Sequence, residues 1–272
     1  MKVEILDKIL LRKSLDTLII CLGIVATFIS FLNISWTVKG ILLTIVAVLG
    51  VINHFRLWKS ANKLNSIQLK INNSDLIIEF GDIFQEVENK VIPFNEYFDT
   101  SFENRLISET SLHGQYLKRI GEEEIELLNQ EIELIPKNKI VEECVKRISG
   151  KETKFELGTI LLREKFFLLS FSHFDDSNVA VLSSNEYVRC LLNMWSEINK
   201  IYNGESICVP ILGSGMTRMT DNTVITDFEL LKIMIWTFRI SKVKFTYPSK
   251  VKFIILPDKK DKINLFQIKE GN

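Results

Sequence analysis

Residues 17–38 and 40–55 form two uncharged, almost wholly apolar stretches separated by a single lysine. No other feature restricts the fold as strongly. A helix needs about 20 mostly apolar residues to cross the roughly 30 Å hydrocarbon core of a bilayer. The first stretch has that length. The second is shorter, but Lys39 and Arg56 can snorkel to the two interfaces, and Trp58 stands where an interfacial aromatic would. Asn33-Ile34-Ser35-Trp36-Thr37 is the polar punctuation between them. The pattern predicts a helical hairpin with spans at about 16–36 and 38–57. Their length argues against a buried helical pair in a soluble core. The second apolar segment, with no small-residue cleavage site before it, argues against a signal peptide.

Charge sets the expected orientation. Lys2, Lys8, Arg12 and Lys13 precede the first span, and Arg56, Lys59 and Lys63 follow the second, while the connecting turn carries Lys39 alone. The positive-inside bias predicts a multi-pass protein of the cell inner membrane with both termini cytoplasmic. Residues 1–60 hold seven basic and three acidic side chains, a net of +4, so the neutral whole leaves −4 for residues 61–272. The basic flanks suit anionic lipid headgroups. The remainder has no basic excess, which argues against a nucleic-acid partner.

Beyond the hairpin, residues 63–272 are long enough for one domain with a substantial core, so the expected division is 1–62 and 63–272. Cys21 lies in a span, Cys144 and Cys190 fall in helical patterns, and Cys208 lies in an apolar strand. No pair of them has metal or redox spacing, His54, His113 and His173 are scattered, and no metal site is expected. Ile67, Leu69 and Ile71 alternate with polar neighbours, and 72–75 turns the chain into the apolar run 76–80, which reads as a hairpin. Runs 90–95, 166–171, 206–211 and 251–256 read as buried strands. Tyr187, Leu191, Met194, Ile198 and Tyr202 share one helical face, and Phe228, Leu231, Ile235 and Phe238 another. The alternation predicts a layered α/β domain around a mixed sheet. The acidic run from Glu122 to Glu133 reads as a solvated helix face.

The sharpest local signal runs from Ser206 to Arg218, where a buried strand leads into Leu212-Gly213-Ser214-Gly215-Met216. In α/β sheets ligands bind at the carboxyl ends of strands. Glycines there admit a ligand to the backbone, and successive N–H groups form a nest for a phosphate or diphosphate. Ser214 offers a hydroxyl and Arg218 a charge. A nucleophile elbow would need glycine where Leu212 stands, and neither a phosphate-loop nor a dinucleotide fingerprint occurs, so no catalytic residue is expected.

Two earlier segments join that loop. Glu79-Phe80-Gly81-Asp82-Ile83-Phe84 places an acid past one strand, and Val91-Ile92-Pro93-Phe94-Asn95-Glu96-Tyr97-Phe98-Asp99-Thr100 places an asparagine past the next. Together with the late Gly-Ser-Gly loop, they resemble the macro domain, an ADP-ribose-binding three-layer α/β/α module with a central mixed sheet. Ile107-Ser108, Ser111-Leu112-His113-Gly114 and Leu157-Gly158-Thr159 extend the similarity to the macro-type sensor of Thoeris antiphage systems, over roughly residues 67–265. One Thoeris class also joins a membrane hairpin to this domain.

The resemblance implies that Asp82, beside Ile83, meets adenine, that Asn95 meets the distal ribose, and that Leu212, Gly213, Ser214, Gly215 and Met216 wrap the diphosphate. Where ordinary macro domains carry Asn-Ala-Ala-Asn and a run of glycines, this chain has Pro93-Phe94-Asn95-Glu96 and Ser111-Leu112-His113-Gly114. These departures disfavour hydrolysis and suit an ADP-ribose derivative with an extra group, for which His113 and Glu96 are the candidate contacts. The resemblance further implies a partner TIR-domain enzyme that consumes NAD to make the signal, histidine–ADP-ribose in this class. Binding would rearrange a homo-oligomer in the membrane lipid and disrupt the membrane, with no cofactor required. The alternative is a membrane-tethered ADP-ribosylhydrolase.

Overall fold

The computed structural model describes residues 3–175, 177–215, 217–221 and 224–271, the side chain of Arg105 excepted. Lys2 of the amino-terminal flank and Met216 of the glycine loop, both named above, lie outside these residues. In chain order the elements begin with helices α1 (Lys8–Phe31) and α2 (Trp36–Ala61). Strands β1 (Ser66–Ile71), β2 (Ser74–Phe80) and β3 (Asn89–Asn95) lead to α3 (Leu112–Ile120) and α4 (Glu122–Glu133). Then come β4 (Ile140–Glu142), β5 (Lys154–Phe155), β6 (Ile160–Arg163), β7 (Phe166–Phe174) and β8 (Ala180–Leu182). The chain ends with α5 (Ser184–Ile201), β9 (Ile207–Pro210), β10 (Arg218–Met219), α6 (Asp227–Ser241), β11 (Lys250–Ile255) and α7 (Leu265–Gly271).

Two compact units emerge, one of residues 1–67 with 261–272 and one of residues 68–260. In the first, α1 and α2 pair side by side. Gly50 makes their approach possible, because a Cβ there would meet Leu18 Cδ1 at 2.6 Å. Asp7 starts α1 by accepting the N–H groups of Ile9 and Leu10 at 3.0 and 3.1 Å. Both helices are long and apolar enough to cross a membrane, and only 11% of the apolar window of α1 and 0% of that of α2 is buried. A core helix of a soluble protein would be mostly covered; here Ile19, Ile24 and Phe28 face outward. Helix α1 ends at Phe31, five residues before the expected boundary at 36. Ser35 caps α2 by accepting the Val38 N–H, so Trp36 and Thr37 begin the second helix.

The base of this hairpin is closed by the two chain ends. Trp58 Nε1 donates to the Val3 carbonyl at 2.8 Å, and Asn62 Oδ1 accepts the Val3 N–H at 2.9 Å. From the other end, Phe266 of α7 packs against Val3, Leu10 and Ala61, and Lys13 pairs with Glu270 at 2.6 Å.

The second unit is built on a sheet ordered β1-β2-β11-β9-β3-β7-β8-β10, with β6 beside β7. β2, β11, β9, β3 and β7 run parallel, while β6 and β8 are antiparallel to β7. Asn72 and Asn73 turn β1 into β2 with φ of 55° and 63°, the left-handed pair that a two-residue hairpin requires. Neighbours on a strand face opposite ways. Phe253 packs on Trp195 of α5, 6.1 Å between ring centroids, while Ile254 packs with Ile83 and borders Leu112 at the start of α3. Helices α5 and α6 therefore cover one face and α3 and α4 the other. The three-layer arrangement expected from the sequence is present. Cys144 departs from its expected helical pattern: it lies in an irregular excursion between β4 and β5, at φ 57°.

Candidate functional site

A cavity of about 390 Å³ opens at the carboxyl ends of β2, β3, β9 and β11. That volume lies within the roughly 300–1,000 Å³ of small-molecule sites. Its position follows from the topology, since parallel strands release their loops at one edge. Phe94, Phe171 and Phe174 give it apolar walls, and Asn95, Ser172 and Thr217 add polar groups. Asn95 pairs with Ser172 and Phe94 with Ser170, so Phe171 is an extra residue that bulges β7.

The loop after β9 forms one side. Gly213 turns it at φ +81°, a conformation strained for any side chain. The buried Tyr187 of α5 donates its hydroxyl to the Leu212 carbonyl at 3.0 Å and pins the turn from below. Lys259, beyond β11, donates to the Ser214 carbonyl and to Asp227 Oδ2 at 3.1 Å, fixing the loop to the start of α6. Gly215 has positive space around it: a Cβ would meet nothing within 4 Å. Arg218 stands exposed at the mouth.

The opposite side is the start of α3. Ser111 caps it, accepting the Gly114 N–H at 3.0 Å and donating to the Ser108 carbonyl at 2.6 Å. Gly114 is required by packing, because a Cβ would come within 2.3 Å of the Ser108 carbonyl oxygen. Leu112 and His113 line the cavity, whereas Gly114 lies behind the wall. His113 stacks on Phe94 at 3.6 Å between centroids, and its Nε2 donates to the Asp99 carbonyl at 2.8 Å. Nδ1 is thereby left as an acceptor. Burial pushes the imidazole pKa down to about 3, with Lys151 adding to the effect against the Asp99 carbonyl. His113 is therefore neutral at physiological pH.

The other sequence candidates have different placements. Gly81 and Ile83 line the cavity; Asp82 stands between them with its carboxylate accepting the Phe84 N–H at 3.0 Å. Asn95 reaches the cavity, but its Oδ1 accepts the N–H groups of Tyr97 and Asp99, and its Nδ2 donates to Asp99 Oδ2 at 2.8 Å. Glu96 is not in the lining. It is buried against His173 Nδ1 at 2.5 Å and Lys154 Nζ at 3.2 Å. Lys259 is not among the sequence candidates; it sits in the charged run Asp258-Lys259-Lys260-Asp261-Lys262. The same rule that located the glycine loop, a position just past a parallel strand, would have found it. At the amino ends of β3 and β9, Glu86, Glu88 and Cys208 lie close enough to hold a cation, but the Lys252 ammonium already sits on both carboxylates at 2.8 and 2.7 Å.

A mixed sheet between two helical layers, with the pocket between the β9 loop and the start of α3, defines a macro-type α/β module. Macrodomains of Oceanobacillus iheyensis share this fold. One with ADP matches at TM-score 0.50 and 15% identity, covering 75% of this chain and 95% of that one. A mutant with ADPR matches at TM-score 0.50 and 15% identity, covering 75% and 97%. Residues 76–256 match the family model of the Thoeris protein ThsA, Macro domain. Thoeris protein ThsA of Bacillus amyloliquefaciens (strain Y2) is 41% identical over 268 residues, 97% of this chain and 90% of that protein. The chain belongs to the Thoeris ThsA family, and so to antiphage defence.

Proposed function

We propose that this chain is a membrane-anchored sensor whose macro-type cavity binds an ADP-ribose derivative made by a partner TIR-domain enzyme. The observation that carries the reading is the charge of the cavity. Among its described lining residues there is no aspartate or glutamate, while Lys259 and Arg218 supply cations beside the Gly213–Gly215 backbone. This arrangement suits a diphosphate. It also disfavours the hydrolase alternative. A general base works best with a pKa near the operating pH, and His113, the histidine among the described lining residues, is held near 3. Asn95, the other candidate for positioning a water, has its carbonyl oxygen committed to two backbone N–H groups.

Histidine–ADP-ribose is the proposed signal, with the His113 Nδ1 acceptor and Asn95 at the end of the cavity where an added group would lie. Glu96, committed to His173 and Lys154, is no longer a direct contact in this reading. The hairpin spans the inner membrane with both termini cytoplasmic. Two helices cannot enclose an aqueous path alone, so membrane disruption needs several copies rearranging together. Incubating ADP-ribose and its histidine derivative with the full-length protein tests the reading. Saturable binding with the ligand recovered intact is expected, and release of the substituent or of ADP-ribose from a modified target would favour the hydrolase.

A further inference from the structure

Helices α4 and α6, on opposite faces of the sheet, turn sides of opposite charge to solvent. In α4, Glu124 and Glu131 pair with Arg163, while Glu123, Glu126 and Glu133 are exposed and the helix holds no lysine or arginine. Leu127 and Leu134 are exposed beside them. In α6, Lys232 and Arg239 are exposed beside Trp236 and Ile240. The positive charge continues past the helix, where Lys242 and Lys244 are exposed and Val243 and Phe245 are buried. No aspartate or glutamate occurs between Glu229 and Asp258.

The two surfaces share one layout. Residues three, four and seven apart lie on one side of a helix. In α4 this puts Leu127 and Leu134 in line, with Glu126 and Glu133 along one edge of that line. In α6 it puts Ile233 and Ile240 in line, with Lys232 and Arg239 along the same edge. In each helix the two charges are seven residues apart, about 10 Å at 1.5 Å per residue. We propose that this is a contact between copies of the chain, in which α4 of one copy packs antiparallel on α6 of the next. Glu126 then meets Arg239, and Glu133 meets Lys232. A parallel packing would leave the charges on opposite sides of the contact. Pairing α6 with α6, or α4 with α4, would set like charges against each other, which costs affinity. The contact is therefore head-to-tail, and such contacts repeat into a ring or a row. One helix pair is a small interface beside the about 1,200–2,000 Å² of stable complexes, so it forms where copies are already concentrated. It does not depend on what the cavity binds, and it supplies the adjacent hairpins that the function proposed above requires.

The test uses the full-length protein in detergent, with Glu133→Cys and Lys232→Cys in one chain and a Cys21→Ser/Cys144→Ser background. Mild oxidation at low salt should give a ladder of dimers, trimers and larger species. An equimolar mixture of the two single-cysteine chains should stop at the dimer. Adding Glu126→Arg to the double-cysteine chain should cut the ladder several-fold, and adding Arg239→Glu to that should restore it. All four positions are exposed, so the unfolding temperature should not move. No ladder, a double-cysteine ladder that ends at the dimer, one indifferent to Glu126→Arg, or one that the swap does not restore would overturn the contact. Amide exchange across α6, in nanodiscs that hold a single copy, tests the other occupant of that surface. Equal exchange in phosphatidylglycerol and phosphatidylcholine supports a side left open for a second copy. Slower exchange in phosphatidylglycerol would mean that lipid covers α6, and would overturn the proposal.

Discussion

Asp99 accepts four hydrogen bonds on one fully buried carboxylate, from Asn95 Nδ2, both terminal nitrogens of Arg147 and the Lys151 N–H. Its own backbone carbonyl accepts the His113 Nε2–H. The Asn-Glu-Tyr-Phe-Asp segment is thus a brace behind the cavity as well as part of its wall. Asp99→Ala would leave the Arg147 guanidinium, its side chain 8% exposed, without its carboxylate partner, and the cost expected for breaking such a pair is about 3–5 kcal/mol. A large fall in the thermal unfolding temperature checks this. The glycines separate structure from ligand contact. Gly114→Ala should destabilise the fold through the clash with the Ser108 carbonyl. Gly215 has open space around it and no positive φ, so Gly215→Val should leave the unfolding temperature unchanged and remove ligand binding. Asp82→Ala should weaken adenine-containing ligands by about 1–3 kcal/mol, as read by titration. Residue identity alone could not separate these roles. Gly114 and Gly215 are the same letter, and only the three-dimensional neighbourhood tells a packing glycine from one facing a ligand.

Helix α5 ties the sheet to the site. Its capping box joins Ser183 and Glu186, its Tyr187 pins the Leu212 carbonyl, and Glu186 also reaches His173 Nε2 at 3.2 Å. With Glu96 on Nδ1, His173 lies between two carboxylates, so both ring nitrogens donate and the imidazolium is the favoured form. Its pKa is raised, first by the hydrogen bond to Glu96, against desolvation and Lys154. A raised value in the fold means that the stabilisation is complete below the ordinary histidine range, about 6.5, and is lost as pH climbs through the folded value. His113 has the opposite sign. Its depressed value makes stability fall as pH drops from about 6.5 towards its folded value near 3. Thermal unfolding of the full chain in detergent should therefore show a maximum near neutrality, and His173→Gln should flatten the alkaline side only. A parallel loss on both sides would contradict the assignment. The strands and both long helices were legible because periodicity and turn residues are local signals. The His173–Glu96–Glu186 bridge was not, since it joins positions 77 and 13 residues apart that only the sheet brings together. The same holds for Lys259, hidden in a run of alternating charge.

At the scale of the whole molecule, a sensor can alter a membrane hairpin only if its ligand binds the quiescent and active arrangements with different affinity. Helix α2 runs through Ala61 before the chain turns towards β1. A flexible Gly/Ser insertion after Ser60 would interrupt that helix and transmit little orientation. It should leave ligand affinity nearly intact while reducing ligand-triggered dye release, and release itself should rise steeply with protein density because several hairpins must meet. Release indifferent to both ligand and insertion would make the hairpin an anchor alone. The claim on which all of this depends is that the cavity binds an ADP-ribose-type ligand without consuming it. The most direct measurement is a calorimetric titration of ADP-ribose into the full-length chain beside Gly215→Val, with the ligand recovered afterwards. The account predicts saturable binding to the wild type, intact ligand, and loss of binding in a variant that unfolds at the same temperature. Equal affinity in the two proteins, no binding to either, or a hydrolysed ligand would contradict it.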